Sequence, residues 1–261
     1  MFANRVHCDR AYLSERVERF LRRRGRWAHL GSTATAGGGR RPALTVSRQC
    51  GAGLGRIERP LLEYLDELRP DTSGEWVLFD QSLLGTLLGR GPVRQVLPPF
   101  NPGAAKIPVS PLLGENLARP VSEWNLFNHS ANAIRMLCHQ GHAIVVGRAG
   151  NQVTADLPGT FHVRLVSAES NRVSFLKSSR RIGENEAAEV VAETDKARSK
   201  FVKRHAGAEI DDPLGYHLVL NTDHLSGELA ARIIADSLHE WIDRSEEEIG
   251  ERQENVVEAI F

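Results

Sequence analysis

The chain is poor in cysteine and shows no excess of either charge sign. Its 261 residues include three cysteines, Cys8, Cys50 and Cys138, and no C-x-x-C pair. Cysteines in odd number and at wide spacing argue against a disulfide framework and favour a reducing compartment. Lysine plus arginine and aspartate plus glutamate number 33 each, so the formal net charge is zero. Without a net positive field, no nucleic-acid partner is expected.

Long apolar runs are also missing. No stretch approaches the length of a membrane span, and the first residues lack the apolar core of a signal peptide. We therefore expect a cytoplasmic protein with no stable membrane insertion. A charged fraction of 25% and a hydrophobic fraction of 41% are ordinary for a globular protein, and a chain of this length can bury one sizeable core.

The two ends of the chain differ in composition from the part between them. Residues 1–40 predict a basic helix, with Arg16 among its arginines, followed by a flexible linker at 31–40. The apolar stripe of this helix is Tyr12, Leu13, Val17, Phe20 and Leu21. It is expected to pack on the main domain, residues 41–244, or on a second subunit; a membrane-surface or partner-binding helix is the alternative. Residues 245–261 predict an acidic tail.

Between the ends, short apolar runs alternate with segments of helical periodicity. This alternation predicts an α/β fold in which a five-stranded parallel sheet carries helices on both faces. The predicted strands are 43–47, 76–79, 143–147, 161–166 and 216–221. A helix predicted from Ile57 to Leu68 contains Pro60, which is expected to kink or delay it. In a sheet of this kind, ligands bind beyond the C-terminal ends of the strands.

The first predicted strand leads into a glycine-rich turn that opens a helix. Backbone N–H groups of such a turn point into a concavity at the helix N-terminus, where the helix dipole favours phosphate oxygens. Against the P-loop pattern G-x-x-x-x-G-K-[ST], aligned on Gly53, the turn has Leu54 in place of the lysine. The candidate phosphate-binding residues are Gly51, Ala52, Gly53, Leu54, Gly55 and Arg56.

Two more segments carry arginine where a phosphate site needs it. The strand at 143–147 leads directly into Arg148, whose planar guanidinium suits phosphate. Residues 169–205 are rich in lysine and arginine, and Gly183 divides them into two helical stretches. Such helices predict a lid over a triphosphate, with a solvated basic surface as the alternative. No metal site is predicted, because the cysteine and histidines at 138–142 lie at a helix end that would scatter their side chains.

Six segments form an ordered pattern along the chain. They are TVSRQ at 45–49, the glycine turn, AIVVGR at 143–148, VRLVSA at 163–168, DKARSKF at 195–201 and DPLGYHLVLNTD at 212–223. In this order they resemble the cytidylate kinase-like family of bacterial P-loop proteins, over about residues 42–238. The resemblance implies a three-layer P-loop NTPase fold of the nucleoside monophosphate kinase type. It also implies a helical lid at about 169–205 and an acceptor-binding insertion at about 88–120.

The resemblance also implies roles for individual residues. The glycine turn would hold the phosphates of ATP, whose Mg²⁺ neutralises their charge, and Arg148 would hold the acceptor phosphate. The candidate catalytic residues are Arg148, Arg181 and Arg198. The candidate substrate-binding residues are Asp80, Arg148, Arg172 and Arg180.

The activity that the resemblance implies is transfer of the ATP γ-phosphate to a cytidylate-type nucleotide. Because the P-loop lysine is missing, we hypothesise that Arg48, Arg56 or a lid arginine replaces it. The alternative is a catalytically weak or inactive nucleotide-binding pseudokinase, whose basic N-terminal helix recruits a partner or a second copy of the chain. Leu54 favours this alternative, whereas the retained arginines favour the enzyme.

Overall fold

The structure is a computed structural model that describes residues 10–25, 41–68, 75–84 and 123–258. The predicted linker, 31–40, and the predicted insertion, 88–120, lie outside the described residues. The helices are α1 (Arg10–Gly25), α2 (Leu54–Leu68), α3 (Glu123–Gln140), α4 (Gly150–Val153), α5 (Glu169–Arg180), α6 (Glu184–Ala206) and α7 (Gly227–Glu258). The strands are β1 (Ala43–Arg48), β2 (Val77–Phe79), β3 (Ala143–Val146), β4 (Thr160–Val166) and β5 (Leu218–Asn221).

The five strands form one parallel sheet in the order β2-β3-β1-β4-β5. β1 is central, and its Val46 pairs with Val146 of β3 on one side and with Val163 of β4 on the other. Each strand begins and ends within two residues of its predicted bounds. The predicted α/β fold, a five-stranded parallel sheet with helices on both faces, is confirmed.

The two faces of β1 meet different surroundings, because successive side chains of a strand point to opposite sides. Leu44 and Val46 are buried in an apolar core with α2 and α7. Ala43 lies on the other face, in a second core with α3. Thr45 and Ser47 share that second face, which therefore becomes polar toward the C-terminal end of β1. This change from apolar to polar marks where a ligand site can lie.

Helix α2 begins at Leu54, directly after the glycine turn, and continues through Pro60. The predicted delay is therefore wrong. Proline has no N–H to donate to the carbonyl four residues earlier, which here belongs to Arg56. The start of α7 lies against that carbonyl: a Cβ on Gly227 would come within 2.3 Å of Arg56 O. Only glycine allows this close approach.

Helix α1 packs on the edge of the sheet beside β2. Leu13, Val17 and Phe20 are buried, and the Phe20 ring meets Phe79 edge-on with ring centroids 5.4 Å apart. The predicted apolar stripe therefore packs on this domain. Arg16 is not on the solvated polar face: it is 3% exposed, donates to Trp76 O at 3.0 Å and forms an ion pair with Asp66.

None of the helices in the described part of the chain combines the length and apolarity that a bilayer crossing demands.

Candidate functional site

A cavity of about 630 Å³ opens beyond the C-terminal ends of β1 and β3, between the sheet and α6. Ligands of parallel α/β proteins bind at this edge, where the helices and loops that follow the strands begin. The volume lies within the range of small-molecule sites, about 300–1,000 Å³. Three lining residues are arginines: Arg48 after β1, Arg148 after β3 and Arg198 on α6. Glu193 lines the cavity as well.

The turn after β3 has an uncommon backbone. Gly147, Arg148 and Ala149 have φ angles of 78°, 57° and 55° in succession, all in the left-handed region. Residues other than glycine adopt this region at an energetic cost, and such residues cluster at functional sites. The Arg148 guanidinium lies over the Phe201 ring, 5.6 Å from its centroid, and burial lowers the pKa of Arg148. Within the described residues, Arg148 forms no ion pair, so its charge is available to a ligand.

Arg48 and Arg198 also line the cavity and lie close to each other. Arg198 Nη1 donates to the Arg48 carbonyl oxygen at 3.1 Å. The pKa of Arg48 falls to about 10, first because the side chain is buried and second because Arg198 carries a like charge nearby. Positive charges held close together at partly buried positions favour an anionic ligand.

The glycine turn adjoins this cavity but is not part of its lining as the described residues form it. Gly51 and Gly53 have φ angles of 82° and 78°, which explains glycine at both positions. The N–H groups of Gly53, Leu54 and Gly55 have no acceptor among the described residues. They lie at the N-terminus of α2, where such donors suit an anion. Arg56 Nη2 lies 2.7 Å from the position that a Cβ of Gly53 would take, which brings a cation to the turn.

One N–H of the turn is already bonded to a carboxylate of α6. The N–H of Cys50 donates to Asp195 Oδ1 at 2.7 Å, and Asp195 Oδ2 lies 2.5 Å from Arg172 Nη1. Arg172 also donates to Cys50 O at 3.2 Å and to Ser167 O at 3.0 Å. Asp195 is absent from the candidates drawn from the sequence. The sequence feature that could have identified Asp195 is its spacing of three residues from Arg198, because residues three apart lie on one helix face.

The candidate lid residues occupy different surroundings along the α5 and α6 hairpin. Arg172 is 7% exposed and its guanidinium is used within the protein, whereas Arg180 and Arg181 are exposed at the far end of α5. Arg180 lies eight positions after Arg172 on the same helix, about 12 Å further along its axis. Of the candidate lid arginines, Arg198 is the one found in the lining of the cavity as described.

Asp80 follows β2, and its Oδ1 accepts the N–H groups of Ser82 and Leu83 at 2.9 and 2.8 Å. It therefore caps the short helical turn at 81–84. Gln81, its neighbour, lines the cavity. The sequence analysis selected Asp80 because an acidic residue follows a strand there. Its hydrogen bonds to Ser82 and Leu83 explain an acidic residue at this position without a ligand.

These features define a parallel α/β protein with three arginines around a cavity at one edge of the sheet. The sequence model of the cytidylate kinase-like family matches residues 100–224, just under half of the chain, and the resemblance to that family is confirmed there. The match includes Arg148, Asp195 and Arg198 and supports a nucleotide kinase-like protein. It does not include β1 or the glycine turn, so the resemblance in that part remains a prediction.

A solved structure supports the fold. The crystal structure of an uncharacterized protein from Eubacterium ventriosum superposes with a TM-score of 0.56 at 16% sequence identity, and the alignment covers 77% of this chain and 99% of that one. At this identity the likeness concerns the fold alone. A comparison with curated proteins finds no match.

Proposed function

We propose that the protein is a cytoplasmic phosphotransferase that moves the γ-phosphate of ATP to a cytidylate-type nucleoside monophosphate. One observation carries the proposal: two sites suited to anions lie side by side at the same edge of the sheet. One is the glycine turn with its unbonded N–H groups, and the other is the cavity with its three arginines. A donor and an acceptor phosphate need this arrangement, since phosphoryl transfer depends mostly on positioning and charge neutralisation.

The donor phosphates fit the turn chemically. The N–H groups of Gly53, Leu54 and Gly55 would bind phosphate oxygens, and Arg56 would supply positive charge that the P-loop lysine supplies elsewhere. The Mg²⁺ that accompanies ATP neutralises phosphate charge. Phosphate oxygens and water would supply most ligands of this ion, since Mg²⁺ at nucleotide sites keeps several waters and takes one or two carboxylates at most.

The acceptor phosphate fits the cavity. Arg148 offers a planar fork that can bind two oxygens of a monophosphate, and the Phe201 ring beneath it adds an apolar wall. Arg198 lies between the two sites, because it lines the cavity and also reaches the carbonyl of Arg48 just before the turn. It is therefore the candidate for stabilising the group in transfer.

A nucleotide-binding pseudokinase is the second candidate. Leu54 cannot replace the charge of the P-loop lysine. In addition, Asp195 places a carboxylate on the N–H of Cys50, at the turn that would receive the donor. A negative group there opposes phosphate binding. Such a protein would bind nucleotide weakly, or would change the conformation of the α5 and α6 hairpin when nucleotide binds, without transferring phosphate.

Incubation of the full-length protein with Mg-ATP and a panel of nucleoside monophosphates tests the proposal. We expect production of ADP together with a diphosphate, fastest with the cytidine nucleotide. Mg-ATP should also raise the Tm, because a ligand selective for the folded state stabilises it. Gly53→Val is the control for the turn, since its side chain would collide with Arg56. Absence of any Tm shift in the wild type at millimolar Mg-ATP would refute binding at the turn.

Arg148→Lys tests the acceptor site. Lysine keeps the charge and loses the fork, so we expect affinity for the monophosphate to fall about tenfold or more while affinity for ATP changes little. Isothermal titration calorimetry with each nucleotide separately measures both. Equal losses for the two ligands, or none, would indicate that Arg148 serves only the turn after β3.

A further inference from the structure

The Arg48 guanidinium lies against the turn that follows β3. Arg48 is the last residue of β1, and its Nη1 lies 2.4 Å from the position that a Cβ of Gly147 would take. Gly147 has a φ of 78°, which favours glycine at this position. The side chain of Arg48 therefore reaches the residue directly before Arg148.

The positive charge of Arg48 is not neutralised by an ion pair in the part of the chain that the structure describes. Burial and the like charge of Arg198 lower its pKa to about 10, although Glu58, Asp80 and Cys50 act in the opposite direction. Among the described residues, the four arginines that are more deeply buried than Arg48 each pair with a carboxylate: Arg16 with Asp66, Arg135 with Asp156, Arg164 with Asp211 and Arg172 with Asp195.

Arg48 is partly buried, and a cation that loses part of its hydration without gaining a partner destabilises a protein. Two explanations remain for keeping Arg48 in this position: it improves packing at the strand ends, or it binds an anion from solution. The second explanation accounts for its place in the lining of the cavity beside Arg148 and Arg198. It also accounts for a guanidinium in particular, since this group binds two phosphate oxygens at once.

We infer that Arg48 is a phosphate-binding residue, which acts with Arg148 and Arg198 on a phosphate at the boundary between the cavity and the glycine turn. The inference rests on the proposed function, because it assumes that the cavity receives a phosphorylated ligand. Of the three replacements for the missing P-loop lysine that the sequence left open, Arg48, Arg56 or a lid arginine, it selects Arg48 at the end of β1.

Thermal unfolding of the full-length protein tests the inference without any need for catalysis. The wild type and Arg48→Met are compared with and without inorganic pyrophosphate, and with and without CMP. Without ligand, Arg48→Met should raise the Tm by about 2–4 °C, because an unpaired cation is replaced by an apolar side chain. With ligand, most of the stabilisation seen in the wild type should be lost, as expected for at least tenfold weaker binding.

Arg135→Met is the matched control. Arg135 is also buried, but it pairs with Asp156 and lies outside the lining of the cavity as described. This variant should have a lower Tm and keep the full ligand-induced shift. Arg48→Lys supplies a second measurement if Arg48→Met does not fold: it should fold normally and bind pyrophosphate about tenfold more weakly by calorimetry.

The outcomes separate the inference from the proposed function. If Arg48→Met is less stable and binds both anions as the wild type does, Arg48 is a packing residue and the inference is wrong. If Arg48→Lys binds pyrophosphate as tightly as the wild type does, the inference is also wrong. If the wild type itself binds neither pyrophosphate nor CMP, both the inference and the proposed function fail.

Discussion

Arg172→Met is expected to lower the free energy of unfolding by about 3 kcal/mol. The side chain of Arg172 is 9% exposed and that of Asp195 is 27% exposed, so the substitution leaves a largely buried carboxylate without its nearer partner, with only Arg198 Nη1 at 3.7 Å. It also removes the donors to Cys50 O and Ser167 O. The glycine turn and the hairpin of α5 and α6 are joined through these bonds, and both should loosen together.

Arg180→Met is the matched control for this substitution. Arg180 lies on the same helix and is exposed, so the change in free energy of unfolding should stay within about 0.5 kcal/mol. Urea denaturation followed by circular dichroism measures both variants. If Arg172→Met is as stable as Arg180→Met but binds substrate more weakly, the original expectation from the sequence, that Arg172 contacts substrate, is restored.

The contrast between these two arginines also explains how far sequence reasoning reaches. The strands could be predicted because each is a short apolar run, and the sheet follows from their alternation with helices. The helices of the hairpin were likewise visible from their charge and from Gly183. The rotation of each helix about its own axis, relative to the sheet, could not be predicted from the sequence. That rotation decides whether an arginine of α5 faces Asp195, as Arg172 does, or solvent, as Arg180 does.

Long-range partners set the second limit. Arg16 resembles the other arginines of its helix until Asp66 and Trp76 are placed beside it, 50 and 60 residues further along the chain. Arg48 was visible as part of TVSRQ, but its contacts with Gly147 and Arg198 join residues that are about 100 and 150 positions further along the chain. The carboxylate on the N–H of Cys50 is a contact of the same kind, since Asp195 follows 145 residues later. Local pattern identifies the turn as a candidate anion site and does not indicate which of its donors are free.

Arg198→Ala is expected to have the largest effect on catalysis. If Arg198 stabilises the phosphoryl group in transfer, its removal should lower kcat by about a thousandfold, with only a modest loss of ATP affinity. Its position supports such a role: it lines the cavity, its Nη1 donates to Arg48 O, and the same atom lies 3.7 Å from Asp195 Oδ1. A side chain bound this loosely to Asp195 can turn toward a phosphate.

Steady-state kinetics with Mg-ATP and the best monophosphate acceptor measures the loss, and calorimetry measures ATP affinity separately. Lys200→Ala is the control, because Lys200 is exposed on the same helix and lies outside the lining of the cavity as described; its kcat should match that of the wild type. A proportional fall in kcat and ATP affinity would make Arg198 a ground-state ligand of ATP.

If the wild type binds ATP and a monophosphate but transfers no phosphate to any acceptor, the lysine missing at Leu54 has not been replaced by Arg48, Arg56 or Arg198. The pseudokinase is then the correct interpretation, with Asp195 as the group that keeps the turn from receiving a donor.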